Sequence, residues 1–304
     1  EPKPSLVLPY DELTDAAVAV GHNLTILDAD GPVRRTAPFV RVGAAGLPSL
    51  AIAAAMQAAR LPRSSITREG PVLRVGGSLV PLVTASIPSF YGPPTSASRM
   101  LVRFTGPVLR DGKPTYQEYS FYDVFYSEAQ MLAGQKPLVD PAVFRDKIVI
   151  VGTSAAGLRD LFTVPFALGN MPGAQIHANV VDDLLSGRFM KPLDARGGVA
   201  VLVLCALLVA LSGATGRVWG TVTLAAVVLG AVGGVSLALF GRGVWMEVAK
   251  PAMGVAFATF GSTAYLYFVE GREKRLVKQM FSRFVSRDVY DQLMSDPSRA
   301  RLGG

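Results

Sequence analysis

VAVLVLCALLVAL (Val199–Leu211) and VWGTVTLAAVVLGAVGGVSLALF (Val218–Phe240) lie close together, and a third apolar run covers Ala252–Val269. A hydrocarbon core of about 30 Å needs roughly 20 apolar helical residues, with a lower limit near 17. The second run meets this easily and the third is marginal. The first reaches the limit only with Gly197, Gly198, Ser212 and Gly213 included. None of the three carries a charge, and Arg217, Arg242 and Lys250 sit in the connections. A charge at the centre of a span costs about 2.5–3.5 kcal/mol, so their exclusion is informative. Buried helices of a soluble protein are the bland alternative. Three such runs in succession, with few polar faces, weigh against it.

The reading that follows is a soluble domain over residues 1–196, three spans within 197–269, and a charged helix over 270–304. The formal net charge of +7 averages over unlike regions. Between Glu270 and Arg287, six cations (Arg272, Lys274, Arg275, Lys278, Arg283, Arg287) outnumber Glu270 and Glu273. This excess sits at a membrane exit, where Lys and Arg mark the cytoplasmic side; it does not point to nucleic acid. Three spans then place residues 1–196 outside and residues 270–304 in the cytoplasm, although Arg188, Lys191 and Arg196 flank the first run. The sole cysteine, Cys205, lies inside the first run and says nothing about orientation. An outside domain needs an export signal, and the sequence shows none after Glu1. Upstream residues with an anchoring helix are therefore expected, and a further domain is expected beyond Gly304.

Within the domain, Ala19–Leu27 and Val33–Val42 read as a hairpin around the turn residues Asp28–Pro32. An alanine-rich helix is expected over Leu47–Ala59. Val72–Val75 and Leu79–Leu82 flank Gly76-Gly77-Ser78 as a second hairpin. Met100–Thr105 reads as a strand, and Ser120 as the cap of a helix through Leu132. Lys147-Ile-Val-Ile-Val-Gly152 has the continuous β-branched character of a strand buried on both faces. Pro172–Ser186 carries Ile176, Val180, Val181, Leu184 and Leu185 at helical spacing, with Gly187 as the stop. Strand, loop and helix in that order predict an α/β domain with a partly parallel core.

Several motifs fail as chemistry. Gly152-Thr-Ser-Ala-Ala-Gly157 follows the presumed strand, but Leu158 and Arg159 stand where a phosphate loop needs Lys and Ser/Thr. A tight turn is the simpler reading. Loops at the carboxyl ends of parallel strands nonetheless hold ligands, making Thr153, Ser154, Arg159 and Asp160 candidates for a signal pocket. His22 and His177 are far apart in sequence and read as structural. A metal there would need carboxylates such as Asp28, Asp30, Asp182 or Asp183. Asp28-Ala-Asp-Gly31 opens like a calcium loop, but Pro32 and Arg34 replace ligands. Ser65, Ser154 and Ser186 lack a nucleophile-elbow context. After His177 there is no histidine to carry a phosphoryl group.

From Ala252 a helix can run on without proline to Pro297. Leu276, Met280 and Phe284, with Val277 and Val285 beside them, form its apolar stripe; Glu273 interrupts a strict heptad. Val289 and Leu293 continue on a second amphipathic element behind Ser286. Such helices can carry a movement to an attached domain, or lie on the membrane surface.

Phe144-Arg-Asp-Lys-Ile-Val-Ile-Val-Gly-Thr153, Asp160-Leu-Phe-Thr-Val-Pro165 and Met171-Pro-Gly-Ala-Gln-Ile-His-Ala-Asn179 resemble the second CHASE class, extracytoplasmic sensors of bacterial cyclases and kinases. Gly21-His-Asn-Leu24 with Asp28–Arg34 resembles its middle segment. The family's amino-terminal anchor and first α/β segment have no counterpart here. Met280–Leu293 is similar to the coupling helix before class III adenylate or guanylate cyclase domains. The resemblance implies a homodimer sensing an unknown extracellular ligand, with membrane lipid around its spans. It also implies that ATP and Mg or Mn bind only in a catalytic domain beyond Gly304, leaving no catalytic or metal residue and no cofactor in this chain. A diguanylate cyclase or Ser/Thr kinase output, or a membrane scaffold without an enzyme, are the alternatives.

Overall fold

The computed structural model describes residues 2–3, 7–87, 95–154, 160–166, 170–215 and 217–284, with backbone alone at 2–3, 95 and 269–284. The chain divides into two compact units, Glu1–Pro192 and Leu193–Gly304.

The first unit begins with β1 (Pro2–Lys3), α1 (Asp11–Ala16), β2 (Arg35–Thr36), β3 (Phe39–Val42), β4 (Ala45–Pro48) and α2 (Leu50–Ala58). There follow β5 (Ile66–Glu69), β6 (Val72–Val75), β7 (Ser78–Ile87), β8 (Thr95–Leu101), β9 (Leu109–Arg110) and β10 (Lys113–Pro114). Then come α3 (Phe121–Leu132), β11 (Leu161–Thr163), β12 (Asn170–Pro172) and α4 (Gly173–Ser186). The main sheet has the order β2-β8-β7-β6-β5, with every neighbouring pair antiparallel. Val75 pairs with Ser78, so Gly76-Gly77 is a two-residue hairpin loop, with φ +58° at Gly76. That positive φ is what the loop asks of its first glycine.

One face of the sheet is covered by α2 and α4. Ile52, Ala55 and Met56 join Val180, Val181 and Leu184 over Leu73, Val75, Val80, Leu82 and Met100. Each fully buried Val, Leu, Ile or Met contributes about 1.5–3 kcal/mol. A smaller cluster gathers Val33, Val164, Met171 and Ile176. Two helices start and stop as their sequences dictate. Ser49 caps α2 by accepting from Ile52 N at 3.3 Å, and Gly187 ends α4 at φ +66°.

Polar groups then fasten α4 to the segment leaving β8. Asn179 Oδ1 accepts from Thr105 N and Asp183 Oδ2 accepts from Arg103 N, both at 2.8 Å. On the other side of the sheet's edge, Asp28 is 4% exposed and its carboxylate meets Arg35 at 2.7 Å, Arg99 at 3.2 Å and Arg34 at 3.5 Å. Arg99 is fully buried; it also donates to Ser86 O at 3.0 Å. Removing one partner of such a buried pair costs about 3–5 kcal/mol, because the remaining charge is stranded.

Three expectations are corrected. Lys147–Gly152 is not a strand: among the described residues nothing pairs with it, and Ile148, Val149 and Val151 are 44%, 54% and 75% exposed. β-Branched composition suits a pleated surface but supplies no ladder. The hairpin over 19–42 does not form either. His22 N donates to Pro48 O and Leu50 N donates to His22 O, so this backbone is drawn to the start of α2, while β3 pairs with β4. Finally, the main sheet is antiparallel: β5 to β8 succeed one another through short connections, and β2 joins β8 antiparallel at the edge. Parallel pairing among the described residues is found between β1 and β3 and in the isolated bridge of His22 with Ser49. The second hairpin, α3 and α4 stand close to where the sequence puts them, although Ser120 makes no side-chain cap. The strand expected at Met100–Thr105 lies earlier, as β8.

The second unit comprises α5 (Ala195–Gly213), α6 (Val218–Gly241) and α7 (Ala249–Phe284). Among the described residues, α5 and α6 are the helices long and apolar enough to cross a membrane. Leu207, Leu211, Leu237 and Phe240 point outward on them, which is the pattern of helices apolar all round. Cys205, Val209, Ala225, Val228 and Val255 form the inner seam. At Gly213 an added Cβ would stand 2.8 Å from Ser262 Cβ, so small residues let α5 and α7 close up.

Burial pushes the Asp183 carboxyl up to about 8, against the pull of the Arg103 amide. A free carboxyl titrates near 4, so the fold prefers the protonated form. That stability is full below about pH 4 and drains as pH rises through about 8. In denaturation of the full chain, Asp183→Asn should gain on the wild type by about 1 kcal/mol per pH unit between pH 5 and 8, with no further gain above it. A difference independent of pH would contradict the protonated carboxyl.

Candidate signal-sensing site

α4 starts without a side-chain cap from Pro172. The first N–H groups of any helix lack intrahelical partners, and a negative group beside them is stabilising. Asp160 supplies it. Its carbonyl accepts from Gly173 N at 3.0 Å, and its carboxylate oxygen lies 2.6 Å from where a Gly173 Cβ would stand. Gly152 is equally tight, with an added Cβ 2.5 Å from Ala174 Cβ. Both ends of the loop expected to form a pocket therefore meet the start of α4. Of its candidate residues, Asp160 is held there, Thr153 and Ser154 are exposed without regular structure, and Arg159 lies outside the described residues.

The structure brings in two residues that sequence reasoning left apart. His177, one turn into α4, feels the charge of Asp160, and His22 is within electrostatic reach of His177. Burial lowers His177, with Asp160 opposing; burial followed by His177 lowers His22 to about 4. His22 Nδ1 accepts from Leu24 N at 3.2 Å, and Nε2 is buried without a hydrogen-bond partner among the described residues. The sequence held a signal for this pairing, since each histidine sits in a segment quoted for the family resemblance.

No trio of His, Cys, Asp or Glu is placed to hold a metal among the described residues. Asp28 and Asp30 are engaged by arginines, as a turn rather than a cation loop. Asp182 bonds Arg188 and Thr105, and Asp183 the Arg103 amide.

An apolar groove of about 340 Å3 runs between α3 and residues 139–144, lined by Phe121, Val124, Phe125, Met131, Val139 and Phe144 among others. The sequence reading missed it, although the helical spacing of Phe121, Val124 and Phe125 was its signal. Leu276, Met280 and Phe284 of the expected coupling stripe fall on helical backbone in α7. Val285, Val289 and Leu293 lie outside the described residues.

The CHASE2 domain family matches residues 3–212. The chain belongs to that family. CHASE2 is an extracellular sensor domain, which gives this chain a signalling role. The match covers the whole described α/β unit and continues into α5. No curated protein and no solved structure matches the chain. In the CHASE2 domain, the Asp160–Gly173 and Gly152–Ala174 contacts together close the start of α4 to any added side chain.

Replacing Gly173 with Ala should cost about 1–3 kcal/mol, as overpacking does, and shift the His177 titration by displacing Asp160. Pulse proteolysis and histidine NMR on the full chain read the two effects. Wild-type values for both would remove the contact from the account.

Proposed function

We propose that this chain is the sensory and transmembrane part of a membrane-bound class III adenylate cyclase. The observation that carries the reading is the CHASE2 match running into α5, followed directly by α6 and the long α7. In this reading α5, α6 and the apolar part of α7 are three spans. Residues 1–196 face the exterior, and the cation-rich segment after Val269 enters the cytoplasm. The similarity of Met280–Leu293 to a cyclase coupling helix supports the output. A catalytic domain beyond Gly304 would convert ATP to cyclic AMP and diphosphate with Mg or Mn, as a dimer. This chain's own contribution is to bias two arrangements of the emerging helices. A signal outside acts only through its differential affinity for them.

The test uses the protein together with the polypeptide that follows Gly304, in membranes. Replacing Phe284 and Val285 with Ser should change cyclic AMP formation by roughly 2- to 30-fold, as couplings of about 0.5–2 kcal/mol do. Unchanged activity and regulation would remove the transmitter stripe. Absence of cyclic AMP formation from the wild type would remove the cyclase output.

A further inference from the structure

Gly21–Leu24 is zipped to the start of α2 with little slack. His22 N donates to Pro48 O at 2.9 Å, and Leu50 N donates to His22 O at 2.8 Å. An added Cβ on Gly21 would stand 2.6 Å from Leu50 Cα, so no side chain fits there. The His22 ring is 8% exposed. Its Nδ1 takes the Leu24 N–H, which fixes the ring proton of the neutral form on Nε2. That N–H is buried with no hydrogen-bond partner among the described residues. The ring is therefore held by its acceptor nitrogen, the one a proton from solution would occupy.

We propose that His22 is an acid-operated latch: a proton on Nδ1 breaks the Leu24 bond and releases residues 21–24 from the start of α2. Protonation turns an acceptor into a donor facing a donor, inside an apolar setting. Among the described residues, the charge acting on the ring is that of His177, which does not compensate a second positive charge. From α2 the neighbours are Ser49 and Leu50, both uncharged. From α4 it is His177, which repels a second positive charge, and Asp160 acts on His177. With the folded ring lowered to about 4, the stability of the closed latch is full above about pH 6.5 and drains as pH falls toward 4. Local opening should therefore increase on the order of 20-fold between pH 7.5 and 5. Asp183 gains stability over the same window, so whole-domain melting hides the latch and the measurement must be local. The latch holds for the folded domain whatever output lies behind the membrane.

The chain has two histidines, so ring-labelled histidine gives two NMR signals from the full chain in nanodiscs, assigned with His177→Gln. His22 should be the Nε2–H tautomer at pH 7.5. Hydrogen exchange at Leu24 and Leu50, corrected for intrinsic rates, should rise about 20-fold on going to pH 5, while Val180, on the helix that Asp183 stabilises, shows no rise. His22→Asn, whose side-chain carbonyl stands where Nδ1 stood and can still accept from Leu24 N, should abolish the rise. An Nδ1–H tautomer, or exchange at Leu24 that ignores pH in the wild type, overturns the latch. An equal rise in His22→Asn overturns it too. Should that variant not fold, the wild-type tautomer and exchange decide alone.

Discussion

Asn179 and Asp183 each accept a backbone N–H from the segment leaving β8, and everything else in the sensor domain is arranged around the helix that carries them. Their neighbours Val180, Val181 and Leu184 enter the core over the sheet. A helix held only by apolar contacts could slide by a turn at modest cost. Two buried acceptors aimed at fixed amides do not allow it, because a slip would leave buried groups unpaired at about 1–3 kcal/mol each. α4 is thereby fixed in register as well as in place. Its first turn then meets Asp160, Ala174 faces Gly152, and His177 comes within reach of His22. The site is a consequence of how that helix is fastened.

Local signals were legible where they depend on neighbours in sequence. The Gly76-Gly77 hairpin, the Gly187 stop and the helical spacing of Ile176–Leu184 each follow from a few adjacent residues. Partnership was not legible. Lys147–Gly152 has strand composition, yet a strand exists only where another supplies hydrogen bonds, and none of the described residues does so. The segment around His22 has apolar content suited to a hairpin, but the carbonyl of Pro48 and the amide of Leu50 compete for it and win. Asp28 shows the same limit from the other side. Its Asp-x-Asp-Gly setting marked a turn correctly, while the three arginines around it come from β2, β8 and the residue just before β2. The meeting of His22 with His177 bridges more than 150 residues of sequence, beyond any spacing rule.

The second unit obeys a different constraint. Hydrocarbon offers no hydrogen bonds, so a crossing chain must satisfy every backbone group internally, and helices do this. α5 and α6 combine that with apolar side chains facing outward, where water would penalise them. Small residues at Gly213, Ser262 and Gly254 bring the helices close without polar pairing. In the proposed reading, α7 continues this bundle out of the membrane, and its cations fix which side it reaches. A change outside then has one continuous element through which to act.

Sidedness is the most direct test of that account. Single cysteines replacing Leu132, which is 85% exposed, and Ser282 on α7, in a Cys205→Ser background, would be labelled with an impermeant maleimide on spheroplasts. The account predicts labelling at 132 in intact spheroplasts and at 282 only after permeabilisation. Labelling at 282 with protection at 132 would contradict it.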